Sequence, residues 1–254
     1  MRILYGKLKF RLRRFLDHFT LSLQRVSNAL MGRKPVHFLH IGKTGGTALK
    51  YAIKGHSKSK DYFIKGHLHQ FHLDNVPKGE KFFFCIRDPK DRFTSAFYAR
   101  MREDKPRFYL PWNQGEAQAF SIFKTPNELA EALSSSDDKL RSSAKDAMST
   151  IGHIRESYWK WFRNETYFME RMPDLVHVCH LETIKDDLEV LKEKLSLSEN
   201  LQLPGKGINS HSSPETLDKT LSPLALANLR SWYARDYEFL KLLENKNLIK
   251  RKAA

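Results

Sequence analysis

The chain has 254 residues, of which 41% are hydrophobic, and its formal net charge is +15. That hydrophobic share supports a packed core and excludes a disordered chain, and the length suits one generous α/β domain. The positive charge favours nucleic acid, an acidic membrane surface, a polyphosphorylated nucleotide or an acidic sugar as partner, without choosing among them. No apolar run approaches the roughly 20 residues that would cross a bilayer, and Cys85 and Cys179 lack CxxC spacing. We expect a soluble protein of a reducing compartment with two buried free thiols.

Residues 3–30 carry apolar side chains at spacings of three and four, with Lys and Arg clustered between 7 and 14. This pattern predicts a basic amphipathic helix. The helix could lie on an anionic membrane or pack against its own domain, and both alternatives stay open. We therefore predict an N-terminal helix within 1–34 and one domain over 35–254.

Short apolar runs alternate with helical patterns along the next part of the chain, which is the order expected of a parallel α/β sheet. Strands are predicted at 36–41, 62–64, 81–86 and 175–181. Helices are predicted at 47–54, 92–101, 151–169, 185–195 and 223–243. The polar segment 103–150 is interpreted as helices and loops that form a lid or an acceptor-binding insertion.

A glycine-rich turn, Gly42-Lys43-Thr44-Gly45-Gly46-Thr47, separates the first strand from the first helix. Such a turn presents backbone N–H groups and a helix N-terminus to an anion, and glycine allows close approach and positive φ. Lys43 adds a positive charge, but it precedes the glycine pair instead of following it, as the lysine of a Walker A motif does. The turn therefore predicts an anion site and counts against an ordinary ATPase.

A second anion-binding element follows about forty residues later. Arg87 ends the 81–86 strand and Ser95 lies on the helix after it. The planar fork of arginine bonds two phosphate oxygens at once. Two neighbouring strand ends of this kind predict a site for a nucleotide with phosphates at both ends of its ribose.

These two elements resemble a known family. The segment His40 to Thr47 is similar to the 5′-phosphosulfate loop of sulfotransferases that use 3′-phosphoadenosine 5′-phosphosulfate (PAPS), and Arg87-Asp88-Pro89 through Ser95 resembles their 3′-phosphate motif. Segments 181–188 and 221–237 resemble the carbohydrate and bacterial-type branch. The resemblance implies a P-loop-containing, sulfotransferase-like three-layer α/β fold with a central parallel β-sheet flanked by helices.

The resemblance also implies roles for individual residues. Lys43 would neutralise the leaving nucleotide oxygen, and His67 matches the position of the catalytic base. His153 and Glu182 are alternative bases, and a loop histidine without a role is a further alternative for His67. The residues expected to bind the donor are Gly42, Lys43, Thr44, Gly45, Gly46, Thr47, Arg87, Ser95 and Lys206.

Several alternatives remain at this point. His67, His69 and His72 have chelating spacing but no carboxylate or cysteine nearby, so we expect no metal. Tyr158, Trp159 and Trp161 suit a sugar platform, but their helical spacing favours the core.

The expected activity is sulfuryl transfer from PAPS to a hydroxyl or amine, with a carbohydrate as the first choice of acceptor. The rival functions are a P-loop kinase and a basic nucleic-acid-binding protein. We expect no nucleic-acid partner. The expected location is cytoplasmic, with peripheral membrane contact through residues 3–30 left open.

Overall fold

The computed structural model describes residues 27–28, 30–106, 109–205 and 217–249. The predicted N-terminal helix lies outside the described residues, apart from helical residues 27, 28 and 30. Lys206 also lies outside them. Within the described part of the chain, every helix is too short or too polar to span a bilayer.

Four strands form one sheet in the order β2-β1-β3-β4, and every neighbouring pair is parallel. The strands are β1 (Lys34–Leu39), β2 (Tyr62–Gly66), β3 (Lys81–Ile86) and β4 (Leu175–His180). Phe82, Phe83 and Phe84 of β3 are all fully buried, as expected of a central strand covered on both faces. The predicted α/β fold with a central parallel sheet is confirmed.

Ten helices connect and flank the described strands. They are α1 (Gly46–Ile53), α2 (Pro89–Met101), α3 (Gln114–Ile122), α4 (Pro126–Ala132), α5 (Asp138–Thr150), α6 (Trp159–Phe162), α7 (Glu165–Glu170), α8 (Ile184–Leu195), α9 (Pro223–Trp232) and α10 (Ala234–Asn245).

The helices form layers on both faces of the sheet because alternate strand residues point to opposite sides. On one face, Phe38 and Phe83 pack with Leu49 of α1 and Leu191 of α8. On the other face, Phe84 packs with aromatic residues of α6, α7 and α10. A third apolar cluster joins α2 and α9 to α3, α4 and α5, which occupy most of segment 103–150. That segment therefore packs on the rest of the domain through a shared buried core.

The predicted helix over 151–169 is wrong in its extent. Residues 151–158 form turns, and only α6 and α7 are helical. His153 and Arg163 have φ values of 65° and 66°, which interrupt a right-handed helix, and the Asn164 side chain caps α7 by accepting from the Tyr167 amide at 2.8 Å. The closing helix is likewise divided into α9 and α10 at Tyr233.

The buried aromatic and sulfur-containing side chains lie where the sequence suggests. Tyr158 and Trp161 are fully buried, so they belong to the core and offer no platform to a sugar. Cys85 and Cys179 are buried free thiols in paired positions of β3 and β4.

Candidate active site

The candidate site lies at the topological switch point of the sheet, between β1 and β3. From β1 the chain passes through α1 to β2 on one side, and β3 and β4 then add on the other side. In open parallel sheets, ligands bind in the crevice outside the carboxyl ends of the strands at such a point. The glycine turn follows β1 and Arg87 follows β3, so the two predicted anion-binding elements leave adjacent strands at the same edge.

The glycine turn has the geometry of an anion-binding loop. Gly45 caps α1 with a φ of 82°, and Lys43 also has positive φ, at 67°. The first backbone bonds to the Gly45 carbonyl come from Ala48 and Leu49. The amides of Gly46 and Thr47 precede those bonds and belong to the orphan donors of a helix start. The Thr44 hydroxyl points inward and donates to the Ile41 carbonyl at 3.0 Å, so this side chain stabilises the turn.

Close packing around the turn explains why three of its positions are glycine. A Cβ on Gly42 would lie 2.4 Å from the His153 ring, and one on Gly46 would lie 2.5 Å from the His40 ring. A Cβ on Gly45 would lie 2.5 Å from Leu181, in addition to the cost of its positive φ. The turn is therefore wedged between side chains from three other parts of the chain.

Arg92 fixes the start of the turn from the opposite side. Its guanidinium is 2% exposed and donates to the carbonyls of Gly42 at 3.0 Å and Glu156 at 2.6 Å. Oδ2 of Asp236 in α10 forms an ion pair with a terminal nitrogen of Arg92 at 3.9 Å. The other oxygen of Asp236 accepts from the Tyr158 amide at 2.8 Å. Arg92 belongs to the segment that resembles the 3′-phosphate motif, and the structure gives it an architectural role.

Three cationic side chains interact at the mouth of the turn. Burial lowers the pKa of Lys43 to about 8, and the charges of Arg87 and Arg102 lower it further against the opposing effect of Asp104. The Nε of Arg87 and one terminal nitrogen of Arg102 are buried without a hydrogen-bond partner among the described residues. Both groups can donate to an anion bound at the mouth of the turn.

Arg102 was not recognised in the sequence, because it stands just after α2 in a segment without a motif. Only the fold shows that the C-terminal end of α2 returns to the turn. Arg87 itself is held by Tyr158, whose hydroxyl donates to the Arg87 carbonyl at 2.5 Å and accepts from its amide at 3.1 Å. Ser95 lies half-buried on α2, six positions after the first residue of that helix.

His67 belongs to a chain of three side chains. Its Nε2 lies 2.8 Å from Nδ1 of His37, and Nε2 of His37 lies 2.5 Å from Oε2 of Glu80. The two imidazole planes differ by 4°, and the His67 ring stacks on Phe71 with centroids 3.5 Å apart. The His67 carbonyl accepts from Lys50 of α1 at 3.0 Å. His67 is thus rigidly oriented beside the helix that begins at the glycine turn.

A second group of histidines lies closer to Gly42. The Nδ1 of His69 lies 2.7 Å from the His40 carbonyl, so it donates and leaves the lone pair on Nε2. Its ring contacts those of His40 and His153, with centroids 4.1 and 5.4 Å away. Burial lowers the pKa of His69 to about 4, assisted by the neighbouring His153. His69 is therefore neutral at pH 7.

The alternative bases named from the sequence are both engaged by neighbours. His153 lies 3.4 Å from Glu156, and Glu182 lies 3.0 Å from His180. Burial opposes ionisation of Glu182, but the contact with His180 and the charge of Arg87 hold its pKa below the usual range.

The described residues contain no group of three or more His, Cys, Asp or Glu side chains arranged to hold a metal ion. The His67 ring contacts His37, and the His69 ring contacts the His40 carbonyl. The His72 ring lies edge-on to Trp161. The three histidines therefore do not converge.

A cleft of about 320 Å³ opens beside the turn. His153 and Glu156 line it, together with Asn113, Thr150 and Arg155. Its floor is stabilised by the buried pair of Arg100 with Glu116, which bonds through two contacts of 2.7 Å. A second hollow of about 460 Å³, between α4, α5 and α9, includes none of the predicted site residues.

Comparison with known proteins agrees with this arrangement. Residues 30–242 match the model of a protein family described as the sulfotransferase family. A comparison with individual curated proteins gave no match. The family match covers well over half of the chain and includes both anion-binding elements. The chain belongs to the sulfotransferase family, whose members transfer a sulfuryl group from a nucleotide donor, generally PAPS, to an acceptor hydroxyl.

Proposed function

We propose that this sulfotransferase uses PAPS as its donor and a carbohydrate hydroxyl or amine as its acceptor. The observation that carries the donor assignment is the convergence of Lys43, Arg87 and Arg102 on the glycine turn, with buried N–H groups of both arginines left without partners. Three cations this close together, opposed by Asp104, favour an anionic ligand at the mouth of the turn. A nucleotide carrying phosphate on two sides of its ribose matches this distribution of charge.

In this proposal, different residues bind the 5′ and the 3′ ends of the donor. The amides at 44–47 and the Thr47 hydroxyl hold the 5′-phosphosulfate, while Arg87 and Ser95 hold the 3′-phosphate. Bound PAPS supplies an activated sulfuryl group. Lys43 lies at the turn as a cation with little water around it, so it stabilises charge on the bridging oxygen as the nucleotide leaves. Positioning and electrostatics supply most of the acceleration of an in-line transfer.

We assign the acceptor to the cleft of about 320 Å³, whose lining residue His153 lies against Gly42. Its lining offers amide, hydroxyl and guanidinium groups on Asn113, Thr150 and Arg155 and carboxylates on Asp104 and Glu156, which suit the hydroxyls or amine of a sugar. Tyr109 and Trp112, just before α3, are 60% and 38% exposed and supply aromatic surface nearby. These groups support a polar glycan over an apolar alcohol.

His67 is the proposed base that removes the acceptor proton. The Glu80 and His37 contacts fix the orientation of its ring, as a base requires. His69 is the strongest competitor because its Nε2 lone pair belongs to a ring packed on His40 and His153. Replacing each histidine with asparagine and measuring transfer from labelled PAPS to chondroitin and heparosan would separate them. Full turnover by His67→Asn would place the base elsewhere.

The donor assignment is tested by thermal unfolding with 3′,5′-bisphosphoadenosine (PAP) and, separately, ATP with magnesium. PAP at about a hundred times its Kd should add about 2.7 kcal/mol, which corresponds to a rise in Tm of about 5–10 °C. Arg87→Ala should abolish most of this rise. Arg141→Ala is the matched control, because Arg141 is bound to Ser135 and Asp138 on α5. A rise with ATP and magnesium but none with PAP would refute the assignment and favour the kinase alternative.

The nucleic-acid alternative predicts affinity for duplex or single-stranded oligonucleotides that falls steeply with salt and is independent of Arg87. The position of Lys43 before the glycine pair counts against the kinase. The absence of a metal requirement, a cytoplasmic location and peripheral membrane contact through residues 3–30 stay predictions.

A further inference from the structure

Glu80, His37 and His67 define a directed path of hydrogen bonds. They come from distant parts of the chain, since His37 lies within β1, Glu80 directly precedes β3, and His67 follows β2. The side chain of His37 is 1% exposed and that of Glu80 is 28% exposed. The path therefore runs from solvent at Glu80 through a buried imidazole to the candidate base.

The chemistry of the three groups fixes the direction of each bond. An ionised carboxylate can only accept, so Nε2 of His37 carries the hydrogen that Glu80 receives. In the neutral ring, Nδ1 of His37 is then an acceptor, and Nε2 of His67 must donate to it. His67 is left with its lone pair on Nδ1. One carboxylate thus determines the tautomer of an imidazole two side chains away.

We propose that Glu80 and His37 are positioning residues that hold His67 in the tautomer of a base and stabilise the cation it forms. This inference rests on the proposed function, because it concerns the base of the sulfuryl transfer. During that step the acceptor O–H bond breaks, its proton passes to Nδ1 of His67, and the new O–S bond forms. The S–O bond to the nucleotide breaks and the nucleotide keeps the electron pair. His67 then bears a positive charge that faces Glu80 through His37.

Other charged groups around His67 act on it in the same site. Lys50 of α1 donates to the His67 carbonyl at 3.0 Å, and Lys65 lies buried on β2 over the Phe63 ring. Both cations disfavour a charged His67, and His69 adds no charge at pH 7. Glu80 is a carboxylate connected to the ring through hydrogen bonds among the described residues, and neither lysine can replace its negative charge when it is removed.

The inference is tested by nitrogen-15 NMR of histidine-labelled full-length protein, with and without PAP, across a pH titration. The wild type should show His67 protonated on Nε2. Glu80→Gln should lower the midpoint of the His67 titration by about one pH unit, the size expected for a charge about 10 Å away at an effective dielectric of about 20. His37→Phe fills the same buried space and should let His67 populate both tautomers. Asp74→Asn, an exposed carboxylate in the Leu73–Asn75 turn, is the matched control and should change neither property.

Activity provides the second measurement. With labelled PAPS and chondroitin or heparosan, Glu80→Gln should reduce kcat about 10- to 100-fold and should leave the Kd for PAP unchanged. The loss is smaller than the roughly 10²- to 10⁴-fold that acid–base catalysis contributes, because the base itself remains. The acidic limb of its pH profile should move to lower pH.

Two results would overturn the inference: a wild-type His67 protonated on Nδ1, or an unchanged His67 titration in Glu80→Gln. Either could occur while PAP still binds, so failure here is distinct from failure of the donor assignment.

Discussion

Gly45 is the position at which a single methyl group should do most damage to the donor site. It combines a φ of 82° with a neighbour, Leu181, whose methyl would lie 2.5 Å from an added Cβ. Gly55, in the turn after α1, has a similar φ of 94° and nothing within 4 Å of the same added atom. Gly45→Ala and Gly55→Ala therefore share the backbone cost and differ in the collision.

The two contributions can be estimated separately. Placing alanine in the left-handed region costs about 1–2 kcal/mol, which is the whole expected loss of unfolding free energy in Gly55→Ala. Overpacking against Leu181 adds about 1–3 kcal/mol, so Gly45→Ala should lose about 2–5 kcal/mol. Either the Leu181 side chain or the turn must shift to relieve the contact. The part of the shift taken up by the turn moves the amides of Gly46 and Thr47 and weakens PAP binding.

Denaturant unfolding gives the free energies and isothermal calorimetry gives the Kd for PAP. Adding Leu181→Ala to Gly45→Ala should recover the collision part of the loss, a coupling that a double-mutant cycle isolates. The reasoning would be refuted if Gly45→Ala and Gly55→Ala were equally stable and bound PAP equally well.

Three further predictions concern charge at the same site. PAP affinity should fall as pH rises through about 8, because burial lowers the pKa of Lys43 to about 8 and the uncharged amine attracts no phosphate. Lys43→Met should bind PAP about 10-fold more weakly or worse at pH 7 and lose this pH dependence. Arg102→Ala should weaken PAP binding about 10-fold, whereas Arg141→Ala should not. Burial lowers the folded-state pKa of His69 to about 4, so the stability that the neutral ring contributes is present above pH 6.5 and is lost as pH falls from there. Between neutral pH and pH 4.5, the free energy of unfolding of the wild type should therefore fall by about 2 kcal/mol more than that of His69→Gln.

Calorimetry across pH 7–9 measures the first two effects, and urea unfolding at several pH values measures the third. A flat pH profile for wild-type PAP binding would contradict the assignment of Lys43 to the anion site. Tight binding by Arg102→Ala would remove that arginine from it. Parallel stability curves for wild type and His69→Gln would contradict the third prediction. They would mean that His69 has the same pKa in the folded and the unfolded protein.

The sequence identified the elements whose signal is local. Strand 81–86 is a continuous apolar run and is β3 residue for residue, and the glycine turn stands where an anion-binding loop stands in parallel sheets. Arg87 was recognised because it ends that strand. Each of these depends on neighbours in the chain, so periodicity and composition suffice to find them.

The features that the sequence did not predict depend on side chains that come into contact only after folding. Arg102 returns to the turn at the far end of α2, and His37 meets Glu80 across 43 positions. The non-helical beginning of the predicted 151–169 helix could not be predicted for the same reason. Glu116 of α3 accepts from the Gly152 amide at 3.0 Å and sets the path that brings His153 against Gly42. No pattern along the chain encodes such contacts.

The buried guanidinium of Arg92 makes the glycine turn depend on α10, the last helix among the described residues. It joins the Gly42 carbonyl to Asp236 of α10, almost two hundred positions later in the chain. During synthesis on the ribosome, the loop emerges long before the carboxylate that completes its support. A nascent chain from which α10 has not yet emerged would therefore have a less firmly held loop, and the loop would reach its final stability only after α10 has folded onto it.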